Sequence, residues 1–121
     1  MLKLKTKWFH KWAKKNSISD NVLLKAIDSL INNLSVADLG GGLYKVRTPA
    51  IGKGKSGGFR TLVAYKEMDK AIFVFGFSKA EKDNLDEDEL RSFKKLAKDL
   101  LQISTKEYLS LIELGHFFNL E

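Results

Sequence analysis

Apolar and charged residues alternate over residues 2–5, where Leu2 and Leu4 interleave with Lys3 and Lys5, and a period of two predicts a short strand with one face inward. Thr6 then stands where it can cap a helix on which Trp8, Phe9 and Trp12 share a face, while Lys7, Lys11, Lys14 and Lys15 point to solvent. Aromatic residues at helical spacing read as core before they read as a base-stacking platform. Ser17 or Ser19 opens a second helix, and Val22, Leu23, Ala26, Ile27, Leu30, Ile31 and Leu34 form its wide apolar stripe. The two helices make an antiparallel hairpin that needs a surface to cover.

Gly40, Gly41 and Gly42 interrupt the pattern, after which period two resumes over residues 43–48. Tyr44 and Val46 fall on one face there, Leu43, Lys45 and Arg47 on the other. Residues 59–66 and 71–77 are apolar on both faces, as interior strands are, and a turn around Asp69 joins them. Consecutive strands with short connections pair antiparallel. Residues 86–101 read as a third helix, acidic in its first turn, with Leu90, Phe93, Ala97 and Leu100 on one side. Ser104 and Glu107 have capping-box spacing before a short fourth helix that Gly115 ends. Phe117, Phe118 and Leu120 in the tail either fold back on the core or form an exposed apolar patch, and folding back is expected. The predicted fold is α+β: a small, twisted, mainly antiparallel sheet built from the N-terminal strand and a three-strand meander, with the helical hairpin on one face and further C-terminal helices. Residues 1–121 form one domain on this reading, with 103–121 as an extra helix and tail.

The chain has 121 residues, 44% of them hydrophobic, which suffices for one core and not for two ordinary ones. It has no apolar run long enough to cross a membrane and no secretory pattern at the N-terminus, so a cytoplasmic protein without a membrane partner is expected. With no cysteine, neither disulfides nor thiolate metal sites nor cysteine nucleophiles are available. The formal net charge of +6 understates an asymmetry: residues 1–66 carry thirteen Lys and Arg against three acids, and residues 67–121 carry eight against twelve. A cationic half of this kind attracts nucleic acid, and the absence of a spare exposed apolar face argues against a lipid surface.

The charge concentrates in Gly52, Lys53, Gly54, Lys55, Ser56, Gly57, Gly58, Phe59 and Arg60, a stretch with four glycines, three cations and no acid. A flexible backbone with fixed positive charge suits a phosphodiester, although a solvated hairpin loop would have similar composition. Two nucleotide-binding motifs fit poorly. Gly52, Gly54 and Gly57 match G-x-G-x-x-G, and Gly54, Lys55 and Ser56 look like the end of a P-loop, but both motifs lead into a helix and this stretch leads into a strand. A P-loop would also place glycine where Pro49 stands. The acidic run with Asp83, Asp86 and Asp88 is better explained as a helix start than as a metal site, and neither a metal nor any other cofactor is expected. His10 and His116 are far apart in sequence, which disfavours a two-histidine ribonuclease. RNA can nevertheless be cut by its own 2′-hydroxyl when a protein supplies a base, an acid and positive charge. Neighbouring cations and partial desolvation favour the neutral form of a lysine, whose reference pKa is about 10.4. Lys53, Lys55, Arg60 and Lys79 form such a like-charge group, with Arg60 as a permanent clamp on phosphate oxygens.

The order of strand, helical hairpin, basic meander and helix resembles the RelE/ParE superfamily of toxins from type II toxin–antitoxin systems. Residues 38–42, 52–65 (G-K-G-K-S-G-G-F-R-T-L-V-A-Y) and 74–85 (V-F-G-F-S-K-A-E-K-D-N-L) are similar to the RelE-like, HigB-related members, and the likeness runs over residues 1 to about 102. The resemblance implies an mRNA endonuclease that works with the ribosome and is silenced by a cognate antitoxin, a helix-turn-helix protein whose complex with the toxin binds operator DNA. It places Lys53 and Lys55 as base and phosphate ligands, Arg60 as the transition-state arginine, and Lys79 or Lys82 where relatives hold a second arginine. Lys45, Arg47 and Lys82 are the expected further RNA phosphate contacts. The late tyrosine with which the archetype stacks a base has no clear equivalent, because Tyr108 lies well beyond that strand. Two other functions stay open: a gyrase poison of the ParE kind, and a non-catalytic nucleic-acid-binding module.

Overall fold

The computed structural model describes residues 1–49 and 58–120. Strand β1 (Leu2–Thr6) runs into α1 (Lys7–Lys15) and α2 (Asp20–Ile31). Strands β2 (Val36–Gly40), β3 (Leu43–Thr48), β4 (Phe59–Lys66) and β5 (Lys70–Ser78) follow, and then α3 (Glu87–Gln102), α4 (Thr105–Glu113) and β6 (Phe117–Asn119). All six strands join one sheet in the order β2-β3-β4-β5-β1-β6. Every pairing is antiparallel except that of β1 with β5. The expected four strands are present, and two short edge strands, β2 and β6, extend them.

Side-chain alternation divides the core between the two faces of the sheet. On one face Phe9, Leu23, Ile27 and Leu30 of the helical hairpin pack on Val46, Val63 and Phe73. On the other, Ala97, Leu100 and Tyr108 of α3 and α4 pack on Leu43, Leu62, Ile72 and Leu4. The hairpin forms where Thr6 and Ser19 accept hydrogen bonds from the backbone N–H groups of Phe9 and Val22. The apolar stripe overshoots the second helix: α2 ends at Ile31, and Asn33 and Ser35 turn the chain at φ of 53° and 54° towards β2, leaving Ile31 and Leu34 exposed. Lys5, read as solvent-facing, is buried and reaches Asp20 at the start of α2 across 2.8 Å. That ion pair ties the hairpin to β1.

Helices α3 and α4 each begin with a capping box, Asp86 with Glu89 and Ser104 with Glu107. The backbone N–H of Glu89 holds the Asp86 carboxyl below its ordinary pKa. No basic residue occupies the last turn of α3, so its C-terminal carbonyls take a donor from the sheet. The buried Lys70 ammonium donates to the carbonyls of Ile103 at 2.7 Å and Leu101 at 3.5 Å and lies 5.6 Å from the ring centre of Tyr108. Tyr108 is fully buried and donates to the Leu100 carbonyl, and burial pushes its phenol well above the ordinary tyrosine range.

The tail folds back, as its aromatic content predicts. Phe118 stands opposite Lys5 in the β1–β6 ladder, Phe117 packs edge-on against Tyr108, and the Leu120 N–H donates to the Lys3 carbonyl. The His10 ring stacks on Phe118 with centroids 3.9 Å apart, and its Nδ1 is buried without a hydrogen-bond partner among the described residues. Burial, then the charges of Lys5 and Lys14, hold the His10 pKa below its ordinary value, against a smaller opposing effect of Asp20.

The β4–β5 register shifts between Leu62 and Val63, so that Val63 faces Phe73 while Leu62 faces Phe75. Val74 is the extra residue of a β-bulge. Beyond it Gly76 lies beneath Trp12, whose ring fills the space a Cβ would need.

Two stability measurements follow. Gly76→Ala should lower the denaturation midpoint by the equivalent of about 1–3 kcal/mol through overlap with Trp12; an unchanged midpoint would place Trp12 elsewhere. Because the fold lowers the His10 pKa, its contribution to stability is complete above the unfolded value of 6.5 and is lost as pH falls through the lower folded value. Thermal stability should therefore decline between pH 7 and pH 5, and His10→Phe, which keeps the stack without the titration, should flatten that decline.

Candidate nucleic-acid interface

The β3–β4 register sets Arg47 directly opposite Arg60 and Lys45 opposite Leu62. Residues paired across a ladder project from the same face, so Arg47, Arg60 and Lys45 share the face of Leu62, which α3 covers further along. Like charges directly opposed across strands are destabilising, at Cβ separations of about 5 Å. An anion placed between two cations opposed in this way would relieve their repulsion. Arg60 is half-buried, and its Nη1 donates to the Phe59 carbonyl at 3.4 Å. Arg47 is exposed.

The opposite face at this end of the sheet is packed solid. Phe59 meets Trp12 edge-on at 5.4 Å between centroids, and the hydroxyls of Thr48 and Thr61, both fully buried, hydrogen-bond at 3.1 Å. The strands that carry the arginines are thereby fixed from below, which pre-positions charge at little cost on binding.

Lys79 follows β5 directly, and its backbone N–H donates to the Gly58 carbonyl at 3.3 Å. Gly58 itself has φ of 53°. This bond joins the segment after β5 to the residue that leads into β4, so Lys79 and Arg60 lie at the same end of the sheet. Lys45 reaches that same segment through a 3.3 Å hydrogen bond to Asn84. Lys82 is engaged differently. Its ammonium is held by the Glu89 carboxylate, which also accepts from the Asp86 N–H in the cap of α3. A phosphate at Lys82 would have to compete with that carboxylate.

Of the residues singled out in the sequence, Lys45, Arg47, Arg60 and Lys79 are brought to one end of the sheet, with Lys82 beside them in an ion pair. Lys53 and Lys55 lie outside the described residues. Among the described residues no three His, Asp or Glu side chains gather closely enough to hold a metal ion, and no helix is long and apolar enough to cross a membrane.

One feature of this face was not legible from helical spacing. Trp8, assigned to the core with Phe9 and Trp12, is 47% exposed, and its indole stacks on Phe75 at 4.7 Å. The β1–β5 ladder ends at Lys5 and Phe73, so the margin of β5 beyond it is open to α1. A signal was present in the cap at Thr6, which leaves Trp8 in the first turn of the helix.

The fold and the opposition of Arg47 to Arg60 describe a small basic α+β protein with a cationic face. The family model for the RelE toxin of the RelE/RelB toxin–antitoxin system matches residues 1–120, and the chain belongs to that family. It is thus a toxin with a cognate antitoxin, from a family whose members are generally mRNA-cleaving endoribonucleases. The match runs through α4 and β6. No curated protein matches the sequence significantly.

Proposed function

We propose that this toxin is a cytoplasmic, metal-independent mRNA endonuclease acting on messages in the ribosome, and that it cuts by directing a 2′-hydroxyl at the adjacent phosphate. The opposition of Arg47 and Arg60 at the end of β3 and β4 carries this reading. A scissile phosphate bound there gains charge in the transition state, and fixed guanidinium groups stabilise that charge more than they stabilise the ground state.

In the proposed reaction a base removes the 2′-hydroxyl proton, the 2′-oxygen bonds to phosphorus, and the bond to the 5′-oxygen breaks. The departing oxygen takes a proton from an acid, leaving a 2′,3′-cyclic phosphate and a 5′-hydroxyl. Family resemblance assigns the base and a phosphate contact to Lys53 and Lys55, and Arg60 clamps the phosphate oxygens. Arg47 and Lys79 extend the clamp, and Lys45 guides the flanking backbone. Lys82 contributes once phosphate displaces Glu89. The antitoxin, a helix-turn-helix protein with an acidic segment, covers this face by charge complementarity, and the complex binds operator DNA.

Expression of the chain should arrest growth and fragment messages in a translating extract. Lys55→Ala and Arg60→Ala should each lower cleavage by about 10²–10³-fold, the loss typical of a transition-state donor, and relieve the arrest. Undiminished cleavage by both variants would reject the assignment. The cut ends should carry a 2′,3′-cyclic phosphate and a 5′-hydroxyl, and a 3′-hydroxyl with a 5′-phosphate, the products of a metal-activated water, would replace the metal-free route.

A further inference from the structure

The row formed by Arg47 and Arg60 continues across the sheet. Phe77 stands opposite Arg60 in the β4–β5 ladder, and Phe75 stands opposite Leu62, one step along the same face. Phe75 and Phe77 have ring centroids 6.2 Å apart, and Phe75 in turn stacks on Trp8 and on Phe93 of α3, each at 4.7 Å. Phe77 is buried and Phe75 half-buried, and this row of rings runs from the arginines to the open margin of β5, where Trp8 is the exposed member. There Thr6, Trp8, Val74, Phe75, Phe93 and Leu96 line an open groove of about 370 Å³.

We propose that this groove is a nucleobase subsite, in which a base neighbouring the scissile phosphate stacks on the exposed indole of Trp8, with Phe75 and Phe93 as the groove's floor and far wall. The proposal rests on the reading of the toxin as a ribonuclease and names a contact which that reading lacks. A diagonal neighbour across a strand pair lies about 7–8 Å away, so the groove begins within reach of a nucleotide flanking one bound at Arg60. An occupant must offer negative charge to the arginines and a flat apolar surface to the groove. Single-stranded RNA offers both at short spacing, and aromatic side chains beside a cationic track are how proteins hold it. The half-exposed indole is already oriented by its stacks on Phe75 and, at 6.1 Å, on Trp12. The groove walls are almost wholly apolar side chains, so stacking rather than hydrogen-bond readout governs the choice of base, and purines, with the larger face, are preferred.

The test titrates the full chain with a single-stranded RNA oligonucleotide and with an abasic ribose-phosphate oligomer of equal length, following tryptophan fluorescence. RNA should quench the emission, Trp8→Phe should remove most of the quenching, and the abasic oligomer should bind about 5- to 100-fold more weakly. In the translating extract, Trp8→Ala should lower cleavage by a similar factor while Trp8→Phe stays within a few-fold of the original chain. Thermal melts of both variants, expected near that of the original chain because Trp8 is half-exposed, separate a lost contact from a lost fold. Equal affinity for the abasic oligomer, or quenching and cleavage indifferent to Trp8, would overturn the subsite. So would a Trp8→Ala variant that cuts normally but binds its antitoxin more weakly, which would give the groove to a peptide. If the original chain bound bases through Trp8 and cut nothing, the ribonuclease reading would fail while the subsite stood.

Discussion

The shift of the β4–β5 register by one residue at Val74 decides what each face of the sheet presents. Were the strand to alternate without interruption from Phe73, which packs under the helical hairpin, Phe75 would share that face and Gly76 would lie on the other. With the bulge, Phe75 joins the cluster under α3, Gly76 receives Trp12, and Phe77 comes alongside Arg60. A bulge re-aims side chains at the cost of one broken step in the ladder. Here it separates a well-packed underside from a face that carries cations and aromatic rings together.

That separation needs both faces held. The hairpin is tied to the sheet by the pairing of Lys5 with Asp20, and by Trp12 over Gly76. The other layer depends on Lys70, a buried ammonium that takes the place of the absent basic residue at the end of α3 and lies against the Tyr108 ring. Fully burying a lysine is tolerated because carbonyl oxygens and the Asp69 carboxylate, 3.5 Å away, replace its water. With α3 and α4 seated, the acidic start of α3 faces the cationic end of the sheet, and Glu89 already holds one lysine from it. The charge balance of the site is therefore set partly by the toxin's own acidic half.

Much of the fold was legible because its signals are local. Thr6, Ser104 and Glu107 announced helix starts through capping chemistry, and the alternation of residues 43–48 placed Val46 and Arg47 on the faces they occupy. What escaped depends on partners distant in the chain. The strands β2 and β6 are short edge strands whose pairing comes from β3 and β1, and no run of alternation marks them. The bulge hides in residues 71–77 because a segment apolar on both faces carries no register. Lys5 and Lys70 look solvated until Asp20 of α2 and the carbonyls at the end of α3 are in place around them. Trp8 followed the helical stripe of Phe9 and Trp12, yet the margin of β5 that it meets exists only because β1 stops early. For the candidate site, the cationic composition singled out Lys45, Arg47, Arg60 and Lys79, which the fold gathers at one end of the sheet, while the opposition of Arg47 to Arg60 is a property of the ladder.

In the proposed reaction this face turns a ribose hydroxyl against its own phosphate. The most direct measurement uses a message carrying a single 2′-deoxyribose at a mapped cleavage position, followed by primer extension after translation in the presence of the toxin. The substituted linkage should stay intact while unsubstituted positions are cut. Cleavage at the deoxyribose at an undiminished rate would show that the attacking group comes from elsewhere and would overturn the proposed reaction.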